Sequence, residues 1–165
     1  MSPGNLYRYF RNKQAIGIAV TERFFAASEA AILAAMDAAG PEPEARIRAL
    51  LRVGLGQMLE KMARTPKIME LVEFICGEDE EPYAVLARHL AFKREQLMAE
   101  LARGMVMGRF REAPVYPTAV NLLHALKAFM MPQSLAAWRD KSTIRSEFEG
   151  VLDLIFTGVR APEIR

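Results

Sequence analysis

Met1-Ser2-Pro3-Gly4-Asn5-Leu6-Tyr7-Arg8-Tyr9-Phe10-Arg11-Asn12-Lys13 opens the chain, and its reading decides the rest. Ser2 is a good N-cap, because its hydroxyl accepts a free amide proton of a first helical turn. Pro3 then falls at the first helical position, where its missing N–H costs nothing. Asn12 is a second N-cap with an apolar-periodic stretch behind it, so the spacing predicts a two-turn helix, a break at Arg11-Asn12 and a long helix. Leu6 and Phe10, four apart, share one face of the short helix. Asn5, Tyr7, Arg8 and Arg11 face outwards with no acid among them. Asparagine and arginine bond base edges, tyrosine reaches phosphate or sugar, and Gly4 lets backbone come close. Lys13 in a first turn opposes the helix dipole, a sign that an incoming phosphate reverses. A solvated helix end with one stray lysine accounts for the same residues.

The run from Ser2 to Phe10, followed by Asn12-Lys13-Gln14-Ala15-Ile16, resembles the recognition helix and fourth-helix start of TetR-family transcriptional regulators. The resemblance implies groove or backbone contacts to DNA from Pro3, Gly4, Asn5, Tyr7 and Arg8, and phosphate contacts from Tyr9 and Lys13. Leu6 and Phe10 become packing residues. In that family two helices precede this one and complete the helix-turn-helix, whereas this chain starts at the recognition helix. The expectation is a start assigned too late or a shortened protein; in-frame stop codons just upstream would exclude the first. Residues 1–39 are therefore read as a partial DNA-binding region and 40–165 as an effector-binding and dimerisation domain.

A chain of 165 residues with 52% hydrophobic residues has ample material for one core, and its mean hydropathy of +0.04 is not that of a membrane protein. It has no eighteen-residue uncharged apolar stretch and no signal-peptide pattern, so a cytosolic protein is expected. The net charge of +2 is unevenly spread. Residues 1–25 carry Arg8, Arg11, Lys13 and Arg23 against Glu22, and the remainder carries 18 bases and 19 acids. The positive charge lies beside the DNA-like stretch, which suits a phosphate partner at that end alone. Cys76, the single cysteine, excludes an internal disulfide and a cysteine-rich zinc site, and is expected to be a buried structural thiol.

The rest of the chain reads as all-helical. Lys13 to about Ala39 forms one long helix with a stripe of Ile16, Val20, Phe24, Ala27 and Ala31, ended by Gly40-Pro41. Glu42 to Thr65 follows, with Leu51, Leu55, Met58, Leu59 and Met62 on its apolar side. Lys67 to Cys76 is short and almost wholly apolar, which implies burial on several sides. Four acids at 78–81 sit beside the next helix start, where the dipole favours them; they lack the ligand spacing of a metal site. Pro82 to about Gly108 is the second long helix, whose end from Glu100-Leu101 through Gly104, Gly108 and Phe110 also resembles the seventh helix of TetR-family effector domains. Arg111 to Pro117 is read as a connection and Thr118 to about Trp138 as a helix bent or ended at Pro132. Ser142 or Thr143 caps the last helix, where Ile144, Phe148, Val151, Leu152, Ile155 and Val159 recur at three- and four-residue steps.

No catalytic residue or cofactor is predicted. His89 and His124 stand on different helices, and there is no Gly-rich phosphate loop or nucleophile elbow. The resemblance places Met58, Met62, Met69 and Met98 on helices that line the family's effector cavity, with Phe74, His89 and Phe92 as aromatic walls and a polar anchor. Each of these residues also suits plain core packing. The expected effector is small and apolar or amphipathic. The broad apolar faces of the last two helices are read as burying against each other and the core; the resemblance adds a homodimer through this pair, with Leu122, Leu126, Phe129, Phe148, Leu152 and Ile155 at the interface. The function implied is a ligand-responsive DNA-binding regulator, a repressor in most of the family, bound to a double-stranded operator and to no membrane. The alternative is an effector-binding, dimerising helical module with no DNA binding of its own.

Overall fold

The computed structural model describes residues 12–64 and 67–162. Eight helices follow one another among these residues: α1 (Lys13–Ala38), α2 (Pro43–Arg64), α3 (Ile68–Cys76), α4 (Glu80–Val106), α5 (Val115–Ala125), α6 (Lys127–Met130), α7 (Pro132–Ala136) and α8 (Ile144–Val159). No strand occurs among the described residues, and one isolated bridge pairs Phe110 with Arg160. The fold is all-α, as the sequence periodicity predicts.

Asn12 caps α1 as expected: its backbone is extended and its Oδ1 accepts the Ala15 N–H at 2.8 Å. At the other end Gly40, at φ +82°, turns the chain and donates to the Asp37 carbonyl; Pro41 then prevents continuation. α4 closes more completely. Gly108, at φ +67°, donates to the Met105 carbonyl while Arg109 and Phe110 both donate to Gly104. This closure folds the Phe110 ring back onto Gly104, where an added Cβ would stand 2.1 Å from the ring. Gly104→Ala is therefore expected to destabilise the protein by about 1–3 kcal/mol despite alanine's better helix propensity. Urea denaturation measures it, and an unchanged midpoint would show that the ring has room to move.

The main core joins α1 and α2 (Ile32, Met36, Ile47, Leu50) to α4 (Leu97, Leu101) and to α8 (Phe148, Phe156). A smaller cluster of Phe25, Ile75 and Val85 ties α1 to α3 and α4. Glu100, 7% exposed, receives Arg46 at 2.6 Å and Arg103 at 2.5 Å; the same arginines donate to the Met36 and Pro41 carbonyls. One buried carboxylate thus fixes the α1–α2 turn against α4, with its charge paired rather than stranded. On the outside, Arg48 and Arg52 of α2 pair with Asp153 and Glu149 of α8, and Arg160 pairs with Glu44.

Three expectations need correction. The inward stripe of α1 is Thr21, Phe25, Ser28, Ile32 and Met36, one residue out of phase with the apolar stripe; Val20 and Ala27 are exposed. The segment 118–138 is not one helix. α5 starts earlier, at Val115, with Pro117 tolerated in its first turn. It ends at Leu126, and the extended backbone of Met131, required before a proline, separates α6 from α7. Thr143 holds the N-cap position of α8 without a capping bond to backbone, its hydroxyl bonding Glu147 instead. Of the residues named for a dimer interface, Leu122, Leu126, Phe129, Phe148 and Leu152 are buried within the single chain, and half-buried Ile155 packs on the same core.

Candidate ligand cavity

Between the two apolar clusters lies a cavity of about 530 Å³, walled by side chains from α1 to α7. That volume falls in the range of small-molecule sites, roughly 300–1,000 Å³. α1 contributes Thr21, Phe24, Phe25 and Ser28, which explains its phase: three of its inward positions, Thr21, Phe25 and Ser28, border a cavity. The Thr21 hydroxyl donates to the Gly17 carbonyl at 2.8 Å, and Ser28 donates to the Gln57 Oε1 of α2. A hydroxyl bonded in this way sits on an apolar face without an orphaned donor.

His89 forms the polar centre of the α4 wall. It is 4% exposed, stacks on Phe25 with ring centroids 4.2 Å apart, and places Nδ1 2.9 Å from Glu29 Oε1. Burial, followed by the charge of Lys93, pushes its pKa below the ordinary histidine value, against the pull of Glu29. The imidazole is therefore neutral at pH 7. Its bond to Glu29 assigns the proton to Nδ1 and leaves Nε2 as an acceptor.

Lys93, one turn further along α4, is half-buried, and burial pushes its pKa down to about 8 with Glu29 opposing. Lys61 lies over the Phe24 ring, Nζ 4.3 Å from the centroid, and the Arg94 guanidinium lies 5.5 Å from the Tyr116 ring centroid. Lys127 also lines the cavity, and its charge acts on Cys76. No aspartate or glutamate lines it among the described residues.

Of the residues expected at a pocket, Met58 and His89 line the cavity. Met62, Phe92 and Met98 pack against the main core instead. Phe74 packs on the smaller cluster, its ring against Gly17, and Met69 is half-buried outside the lining. Cys76 is exposed and borders the cavity, rather than being the buried structural thiol expected; it ends α3 just before the Gly77 turn. Burial of its sulfur edge still raises the thiol pKa, with Lys127 opposing. Sequence reasoning missed Lys93, Gln57, Thr21 and Ser28. The available signal was polar residues on a helix face that otherwise continues into Ile32 and Met36.

Pro3, Gly4, Asn5, Tyr7, Arg8 and Tyr9 lie outside the described residues. Lys13 is the exposed first residue of α1, in a first turn with no acid. Among the described residues no helix is long and apolar enough to cross a membrane, and no group of histidine, cysteine and carboxylate side chains is arranged to hold a metal.

Residues 43–152 match the family described as tetracyclin repressor-like, C-terminal domain. The fold is similar to that of the reduced form of E. coli NemR, with a TM-score of 0.70 at 17% identity over 99% of this chain and 83% of the other. No curated protein matches the sequence.

Proposed function

Because the chain belongs to the tetracyclin repressor-like family through residues 43–152, we propose that it is a ligand-responsive transcriptional regulator: a cytoplasmic repressor that holds operator DNA as a homodimer and releases it when a small apolar or amphipathic molecule enters the cavity. The observation that carries the reading is the position of α1. Its Thr21, Phe24, Phe25 and Ser28 form one cavity wall, and its start at Lys13 directly follows the DNA-like stretch at 2–10. A ligand that pushes on this wall displaces the helix that carries the DNA contacts, so occupancy and DNA affinity are linked through one rigid element. The DNA contacts proposed are Pro3, Gly4, Asn5, Tyr7, Arg8, Tyr9 and Lys13. For the dimer, the outward side of α8 supports a self-association surface: Leu154 is 75% exposed, flanked one turn away on each side by Gly150 and Gly158.

Selection of binding sites from random duplex DNA tests the reading. The expected product is a two-fold symmetric site with half-sites about one DNA turn apart. Affinity for it should fall steeply with salt as phosphate contacts are lost. Recovery of no preferred sequence, or binding indifferent to salt, would overturn the DNA-binding reading.

A further inference from the structure

We propose that the cavity takes an anionic amphiphile, its negatively charged head against Lys93 and its apolar body against the walls around Phe25, Leu50 and Ile75. The inference rests on reading the cavity as the effector site. Its basis is an imbalance of charge: Lys61, Lys93, Arg94 and Lys127 line the cavity, and no carboxylate does so among the described residues. The cations are not equivalent. Lys61 and Arg94 lie against aromatic rings, which satisfy part of their charge. Lys93 has no such partner among the described residues. Its ammonium reaches α2 at Gly54, where an added Cβ would lie 3.9 Å from Nζ and 3.4 Å from the Met130 sulfur. Among the described residues no carboxylate pairs with it; Glu29, whose charge reaches it, is bonded to His89 instead.

A cation held in a half-buried, largely apolar chamber is costly unless an anion and hydrogen bonds meet it. A monoanionic head supplies both, as a charge-assisted hydrogen bond in a site of low local dielectric. The neighbouring Gln57 and Ser28 are bonded to each other and add no competing charge. A cationic ligand would instead face four like charges with no counter-ion in the wall.

Calorimetric titration of the full chain with dodecanoate, dodecan-1-ol and dodecyltrimethylammonium, each below its micelle concentration, separates the outcomes. Dodecanoate is expected to bind about tenfold or more tighter than the alcohol, and the ammonium weakest. Lys93→Met should abolish the preference for acid over alcohol while leaving alcohol binding in place. Equal binding of acid and alcohol to the unaltered protein, or a preference for the ammonium, would overturn the inference and leave the regulator reading intact. A preference for the acid that survives in Lys93→Met would take the assignment away from Lys93. Failure of all three probes to bind would overturn this inference, while the site selection from random duplex DNA tests the regulator reading separately. The comparison of probes on the unaltered chain does not depend on how the variant folds.

Discussion

Phe148→Ala is expected to lower the unfolding free energy by about 3–5 kcal/mol, the range for truncating a fully enclosed aromatic side chain. Phe148 sits on α8 with no exposed surface. Its ring meets Phe129 of α6 edge-on at 5.4 Å, and Phe129 in turn tilts against Trp138 at 5.1 Å. The three rings connect the interrupted segment α5–α7, with its short helices of four and five residues, to the last helix. Isolated helices of that length are not stable in water, so their order derives from tertiary packing: α6 on α2, α7 on α3, and these rings on α8. Truncation at 148 removes the α8 side of the contact and leaves a void that two short helices are poorly placed to fill. Urea denaturation should show the loss, and the thermal midpoint should fall by about 10 °C or more. A loss under about 1 kcal/mol would mean that α6 and α7 do not depend on α8.

What could be read from the sequence, and what could not, follows from where local rules apply. Helix identity was legible because the caps and breakers act locally: Asn12 binds the Ala15 N–H, and Gly40-Pro41 and Gly108 end the two long helices. The phase of α1 was not. A hydrophobic stripe assumes that the inward face is dry, and here it faces a cavity at Thr21 and Ser28, so the apolar residues Val20 and Ala27 one position away looked like the better inward set. The residues named for a dimer interface meet a related limit. Periodicity in α8 marks the side that is buried, without saying whether the chain or its twin buries it, and Phe148 and Leu152 go to the chain itself. Methionine content was a divided signal: Met58, Met130 and Met131 line the cavity, while Met62 and Met98 fill core. Lys93 was passed over because a lysine on a long helix normally reads as solvated surface, and only the three-dimensional arrangement of α2, α4 and α6 encloses it.

Lys93→Met is expected to stabilise the empty protein at pH 7, by up to about 3 kcal/mol. The sign follows from linkage. Burial pushes the Lys93 pKa down to about 8 from an ordinary value of 10.5, so between these pH values the unfolded chain binds more protons than the folded one. Stability of the unaltered protein therefore rises with pH across that window. Below about pH 8 the ammonium is charged in both states and its full desolvation cost is present; above about 10.5 it is neutral in both and the cost is gone. Methionine, of similar length and without charge, never incurs it. Glu29 on α1 and His89 on α4 interact with Lys93 directly, so its removal changes their surroundings as well; Lys61 on α2, Arg94 on α4, His124 on α5 and Lys127 on α6 line the cavity in both proteins. Urea denaturation of the two proteins at intervals from pH 7 to pH 10.5 should show the advantage of Lys93→Met constant at first, then shrinking through the window. A flat difference, or a variant less stable at pH 7, would mean that the ammonium is already compensated inside the chain. The outcome also bears on binding: a lysine that burdens the empty protein and is relieved by an anion makes ligand affinity and resting stability opposite faces of one charge.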